Sequence, residues 1–146
     1  YMVLAGAEGS PDTLCSVPLA KKYNAPILIT EKDCLCKGVK EEILRLGVKE
    51  VFIVGGYSVI SQSVEDEILA MNVKVTRIKG ADRYETSVRI AEYLGESGNG
   101  VIAEGSDFAD VLSIASIAAN KGMPLLLTTN NSLPAVVKDY LDRNKI

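Results

Sequence analysis

Short apolar runs alternate with longer amphipathic stretches along the whole chain. The runs at residues 2–5, 26–30, 51–54, 73–77, 100–104 and 124–128 are built mainly from Val, Ile and Leu. Most are continuous rather than alternating, as expected of parallel strands covered on both faces. Helix-length segments lie between them, at 11–23, 36–46, 61–70, 83–94, 108–121 and 134–144. Their starts carry cap signals. Ser10 ahead of Pro11 places a hydroxyl at N-cap and proline at N1. Asp107 with Asp110 forms a loose capping pattern, and Asp82 with Glu85 fits a capping box with Asp in place of Ser or Thr. Gly47, Gly95 and Gly122 fall where helices end by the left-handed route. The alternation predicts an α/β layered fold with a mainly parallel sheet and right-handed crossovers.

The pattern also repeats. Shifting the sequence by 98 residues without a gap superposes residues 1–48 on 99–146. Twelve positions are then identical: Val3/Val101, Ala5/Ala103, Asp12/Asp110, Leu14/Leu112, Ala20/Ala118, Pro26/Pro124, Leu28/Leu126, Thr30/Thr128, Leu35/Leu133, Val39/Val137, Lys40/Lys138 and Arg45/Arg143. Many other pairs exchange Ile, Leu and Val. The chain therefore holds about one and a half copies of a unit near 98 residues long.

Composition narrows the function classes. The 146 residues fit one domain, and a net charge of −3 gives no global basic footprint, which argues against generic nucleic-acid binding. The longest apolar runs, such as 123–127, are too short for a bilayer span, so no membrane insertion is expected. Tyr1 stands just ahead of an apolar run, so the chain reads as a fragment and a missing signal peptide says little. Histidine is absent, which removes the commonest metal ligand and the usual general base near neutral pH. Cys15, Cys34 and Cys36 have no zinc-site spacing and are odd in number. Buried or incidental thiols are expected, with no metal and no cofactor.

Three sets of residues are candidates for chemistry. Gly55 and Gly56 follow a strand and precede a helix, where glycines admit an anion to backbone amides; they lack the remaining glycines and lysine of a nucleotide motif, and a simple tight turn is the alternative. Asp12 and Asp110 occupy the same place in each copy, near a helix start, where a carboxylate ordinarily serves the helix dipole rather than catalysis. Arg77, Lys79 and Arg83 form a compact basic cluster spanning a strand end, the turn at Gly80 and a helix start. Arg83 in a first helical turn opposes the dipole unless an anion answers it; an external anion and an ion pair with Asp12 or Asp110 are both open. Tyr84 falls on the apolar side of that helix, as a packing anchor with its hydroxyl at the rim. No serine sits in a nucleophile elbow and no carboxylate pair has hydrolytic spacing, so no enzymatic equipment is visible.

Three blocks carry a resemblance: "RIKGADRYETSVRIAEYL" (77–94), "EGSDFADVLSIASIAANKGMPLLLT" (104–128) and "VFIVGGYSVISQSVEDEI" (51–68). In this order and spacing the chain resembles the type 2 cell wall binding repeat family. The resemblance implies Rossmann-like α/β modules and a unit beginning near Arg77. Residues 1–76 would then be the later part of one repeat and 77–146 the earlier part of the next. It further implies tandem units about a pseudo-threefold axis that hold secreted proteins, S-layer components among them, on an anionic polymer of the Gram-positive wall. Arg83 would serve polymer recognition or the module contact that builds the site, with Asp12, Asp110, Asp82, Tyr84 and Glu85 in structural roles. With one and a half units, a homotrimer or an interlocked oligomer is expected. A nucleotide- or phosphometabolite-binding enzyme domain and a purely structural assembly module are the competing readings.

Overall fold

The computed structural model describes residues 1–8 and 11–146. Ser10, the expected N-cap of the first helix, lies outside them. The elements run β1 (Met2–Gly6), α1 (Pro11–Cys15), α2 (Val17–Lys22), β2 (Ile27–Thr30), α3 (Lys37–Arg45), β3 (Glu50–Val54), α4 (Gln62–Leu69), β4 (Lys74–Ile78), α5 (Arg83–Leu94), β5 (Val101–Glu104), α6 (Phe108–Lys121), β6 (Leu125–Thr128) and α7 (Ala135–Asn144). All strand pairings are parallel, in one sheet of order β2-β1-β3-β4 and a second of β5-β6. This is the α/β class that continuous apolar strands alternating with helices predict.

The sequence repeat is visible in the strand registers. Val3 pairs with Ile27 in the first sheet and Val101 with Leu125 in the second. Entry into each pair is the same: the Val3 amide donates to Pro26 O and the Val101 amide to Pro124 O, both at 2.9 Å.

One expected helix is two. The segment 11–23 breaks at Ser16, whose hydroxyl donates to Thr13 O at 2.6 Å. Pro18 is the physical reason. It has no amide to give Leu14 O, and its ring crowds that carbonyl, so a helix restarts there with proline in its first turn. The corresponding position in the second copy is Ser116, and α6 runs unbroken.

A single apolar core joins the two sheets: Val3, Phe52 and Ile78 from the first pack with Ala103, Leu125 and Leu127 from the second, and with Leu19, Ile90 and Val111 from the helices. A second core lies on the other face of the larger sheet. Helix α5 serves two sides. Ile90 enters the shared core, while Val88 and Ala91 pack with Leu126, Val137 and Tyr140. Each fully buried aliphatic side chain of this kind is worth about 1.5–3 kcal/mol. Among the described residues no helix is long and apolar enough to cross a membrane.

Candidate functional site

The carboxyl ends of β1, β3, β4 and β5 converge, and glycines mark where they do: Gly6, Gly55–Gly56, Gly80 and Gly105. Open α/β sheets leave their crevices at these strand ends. Gly80 is needed for the approach of α5, since a Cβ there would lie 2.5 Å from Glu85 Cβ and 2.6 Å from the Thr86 amide. The amide of Gly80 donates to Thr86 Oγ1 at 3.0 Å, and that hydroxyl donates to Asp82 O at 2.7 Å.

Asp82 caps α5 as the sequence implies, its Oδ1 accepting from the Glu85 amide at 2.8 Å. Glu85 returns the bond one residue further out than a strict capping box, accepting from the Ala81 amide at 2.8 Å. That backbone bond, then Arg89, holds the Glu85 carboxyl below its usual range. Arg83 is the first residue of the capped helix and is exposed. Its Nη1 donates to Gly105 O at 2.6 Å. Two clefts meet at its side chain. One, of about 420 Å³, runs past Gly6, Glu8, Pro11, Val59, Ser106 and Phe108. The other, of about 230 Å³, includes Asp12, Gly56, Ser58 and the Gly80–Asp82 turn.

The basic cluster does not act as a cluster. Arg77 is nearly buried, its side chain 7% exposed, and ion-paired with Glu65 at 2.8 Å. It also donates to Gly55 O at 3.1 Å and Ile60 O at 2.9 Å. The expectation of Arg77 as a ligand contact is therefore corrected: its guanidinium is spent on holding the turn after β3. The face of its guanidinium lies 4.1 Å from the Tyr57 ring centroid, and Lys79 Nζ lies 4.5 Å from the same centroid. Lys79 stays exposed and its Nζ leans on the Tyr57 ring, next to Gly80 of the smaller cleft. Neither Tyr57 nor Glu65 was legible as a partner. A strand-end arginine within reach of an acidic helix is the only signal the sequence offers for that pair.

The two glycines divide as well. Gly55 has φ +103° and gives its amide to Ile78 O at 2.9 Å, so it makes a turn and presents no amide to a ligand. Gly56 lines the smaller cleft beside Arg83. The repeat-related aspartates also differ. Asp12 is half-buried and lines that cleft, whereas Asp110 is exposed in the first turn of α6. The cap there is Asp107, whose Oδ1 accepts from the Ala109 and Asp110 amides at 2.9 and 3.3 Å. Tyr84 is half-buried between two cores. Of the thiols, Cys15 is buried, Cys36 half-buried and Cys34 exposed; burial, then the charge of Asp12, pushes the Cys15 thiol well up. Among the described residues no group of three or more Cys, Asp or Glu is placed to hold a metal ion.

Two parallel α/β units related by a sequence repeat, with crevices at their strand ends, define an α/β repeat module. Comparison with known sequences is specific: the profile of cell wall binding domain 2 (CWB2) matches residues 1–65 and again 77–145, and the chain belongs to that family. It is 33% identical over 141 residues to the N-acetylmuramoyl-L-alanine amidase LytC of Bacillus subtilis (strain 168), covering 94% of this chain and 28% of LytC. It is 39% identical over 133 residues to the amidase enhancer of the same organism, covering 91% and 19%. Among solved structures, Cwp6 from Clostridium difficile superposes with a TM-score of 0.92 at 34% identity, over 98% of this chain and 23% of that one. Cwp8 from Clostridium difficile gives 0.87 at 36% identity, over 96% and 24%. The chain thus spans about a quarter or less of most of these relatives.

Proposed function

We propose that the chain is a non-catalytic anchoring module that binds an anionic polymer of the bacterial cell wall, a wall polysaccharide or teichoic-type polymer, at the protein-bearing surface. The observation that carries this reading is the placement of Arg83, exposed at the meeting of two clefts on the strand carboxyl ends. A guanidinium in that position makes charge-assisted and bidentate bonds to phosphate or carboxylate. Gly56 and the Gly80 turn let a polymer chain approach closely, and Lys79 at the rim adds a point charge. Arg77, Asp82, Glu85 and Tyr84 position these groups without touching the ligand, and Asp12 and Asp110 belong to the helix starts.

One exposed contact is weak, so the module works by repetition. On this reading residues 1–76 complete one repeat, 77–146 begin the next, and copies assemble as a homotrimer or interlocked oligomer. Linked sites then raise avidity through effective concentration. The family's wall-binding character and the amidase relatives, matched over only a fraction of their length, favour an anchor attached to a separate effector domain on secreted proteins. The nucleotide-enzyme reading loses its main support where Gly55 spends its amide on Ile78 O.

The test is sedimentation of the purified protein with isolated Gram-positive walls, before and after the anionic polymer is stripped. Binding that requires the polymer and weakens with salt is expected. Equal binding to stripped walls contradicts the proposal.

A further inference from the structure

The loop between β2 and α3 carries two thiols that its own closure does not need. Thr30, the last residue of β2, donates its hydroxyl to Cys34 O at 2.9 Å and accepts from the Cys36 amide at 3.2 Å. One side chain thus ties the backbone on both sides of Leu35, which is 2% exposed. The 98-residue offset carries Thr30, Cys34, Leu35 and Cys36 onto Thr128, Ser132, Leu133 and Pro134. There the Thr128 hydroxyl donates to Ser132 O, again at 2.9 Å. The loop closes in the same way with serine and proline where the first copy has cysteines. Exposure matches as well. Cys34 and Ser132 are exposed, and Cys36 and Pro134 are half-buried, although α5 packs on the second copy.

The two thiols are placed to react with one another. Residues two apart have Cα atoms within about 7 Å, and disulfides bridge Cα separations of about 4.4–6.8 Å. Burial alternates out, in, out through Cys34, Leu35 and Cys36, which puts both thiols on the outer side of the loop. Cys36 is the N-cap residue of α3, yet its side chain makes no cap bond; its Sγ lies 3.7 Å from Thr30 Oγ1. Lys40, in the first turns of α3, has its pKa raised chiefly by Glu67 and in smaller part by Cys34, so an ammonium stands near the outer thiol.

We propose that Cys34 and Cys36 form a thiol–disulfide exchange site that takes a small-molecule disulfide as its substrate. The Cys34 thiolate attacks one sulfur of that disulfide, forming a mixed disulfide and releasing one thiolate, which takes up the proton that Cys34 gave to solvent. The Cys36 thiolate then attacks the Cys34 sulfur, forming the Cys34–Cys36 bond and expelling the second thiolate. The protein loses two electrons and two protons, and the small disulfide becomes two thiols. The new bond ties the N-cap of α3 to the loop ahead of it. Buried Cys15 takes no part. The site is independent of polymer binding.

The test incubates the fully reduced, purified chain with glutathione disulfide, quenches with an alkylating agent and maps the products by mass spectrometry. Expected is a loss of two hydrogens confined to the peptide that holds Cys34 and Cys36, reversed by dithiothreitol, with Cys15 alkylated only after unfolding. Cys36→Ser removes the resolving thiol and should stop the reaction at a glutathione adduct on Cys34. Cys34→Ser should slow glutathione uptake about tenfold, because the remaining thiol is less accessible. Both serine variants should melt with the parent, since serine already serves the same loop at Ser132. A stable glutathione adduct on the parent chain overturns the proposal, because it shows that Cys36 cannot reach Cys34. A disulfide-linked dimer in place of the internal bond, or no reaction at either thiol, overturns it equally.

Discussion

Two arginines six residues apart do opposite things. Arg77 is surrounded by acceptors, with Glu65 and the carbonyls of Gly55 and Ile60 on one guanidinium. Removing one member of a largely buried pair leaves the other charge uncompensated, which costs about 3–5 kcal/mol. Arg77→Ala should therefore lower the melting temperature by several degrees, whereas exposed Arg83→Ala should shift it by a degree or two. A similar small shift for both would contradict the structural role of Arg77. Glu50 offers a test by pH. The hydroxyl of Thr76 chiefly lowers its pKa, against a smaller upward push from burial, with Lys74 adding to the lowering. A depressed folded pKa means the stabilisation is full above the unfolded carboxylate value, near ~4.3, and is lost as pH falls through the folded one. The stability advantage of wild type over Glu50→Gln should shrink on acidification below about pH 4. A difference that stays constant down to pH 3 would refute it. At this scale the sequence was least informative. It marked Arg77, Lys79 and Arg83 as neighbours, but only the packing of Tyr57 and Glu65 decides which of them face outward.

At the scale of elements, local chemistry accounts for most of what forms. Continuous apolar strands, the Asp82 cap and the positive-φ glycine ends at Gly47 and Gly122 were readable, because each depends on residues within a few positions; Gly95 ends α5 at φ +87° and ψ −172°, outside the left-handed helical region expected of it. The expected helix over 11–23 breaks because Pro18 has no amide to give Leu14 O. Other features were not readable because they depend on distant segments. The Arg83 clefts gather Gly6, Gly56, Gly80 and Gly105 from four strand ends, and no periodicity reports that convergence. Gly80 shows the coupling most sharply. Gly80→Ala drives a Cβ into Glu85 and the Thr86 amide, where overpacking costs about 1–3 kcal/mol. Thermal unfolding should show a lower midpoint, and wall binding should fall with it as α5 is displaced. An unchanged midpoint would mean the turn relaxes freely and does not position Arg83.

At the scale of the whole molecule, the repeat explains the fold. One core crosses from the first sheet to the second, so the chain should unfold in one cooperative transition, with coincident signals from both halves. Two separated transitions by circular dichroism and by hydrogen exchange of β6 would show that the halves are independent. The proposed anchoring belongs to this scale too, since a single guanidinium contact is weak without neighbours. The proposed homotrimer should appear in light scattering at high micromolar concentration, and a monomer there would remove it. The most direct test of the central claim is wall sedimentation of wild type beside Arg83→Ala, with oligomeric state and melting temperature matched. The account predicts that wild type binds polymer-bearing walls and that Arg83→Ala loses at least tenfold in affinity while remaining folded and assembled. Wild-type affinity in a folded Arg83→Ala protein would contradict it.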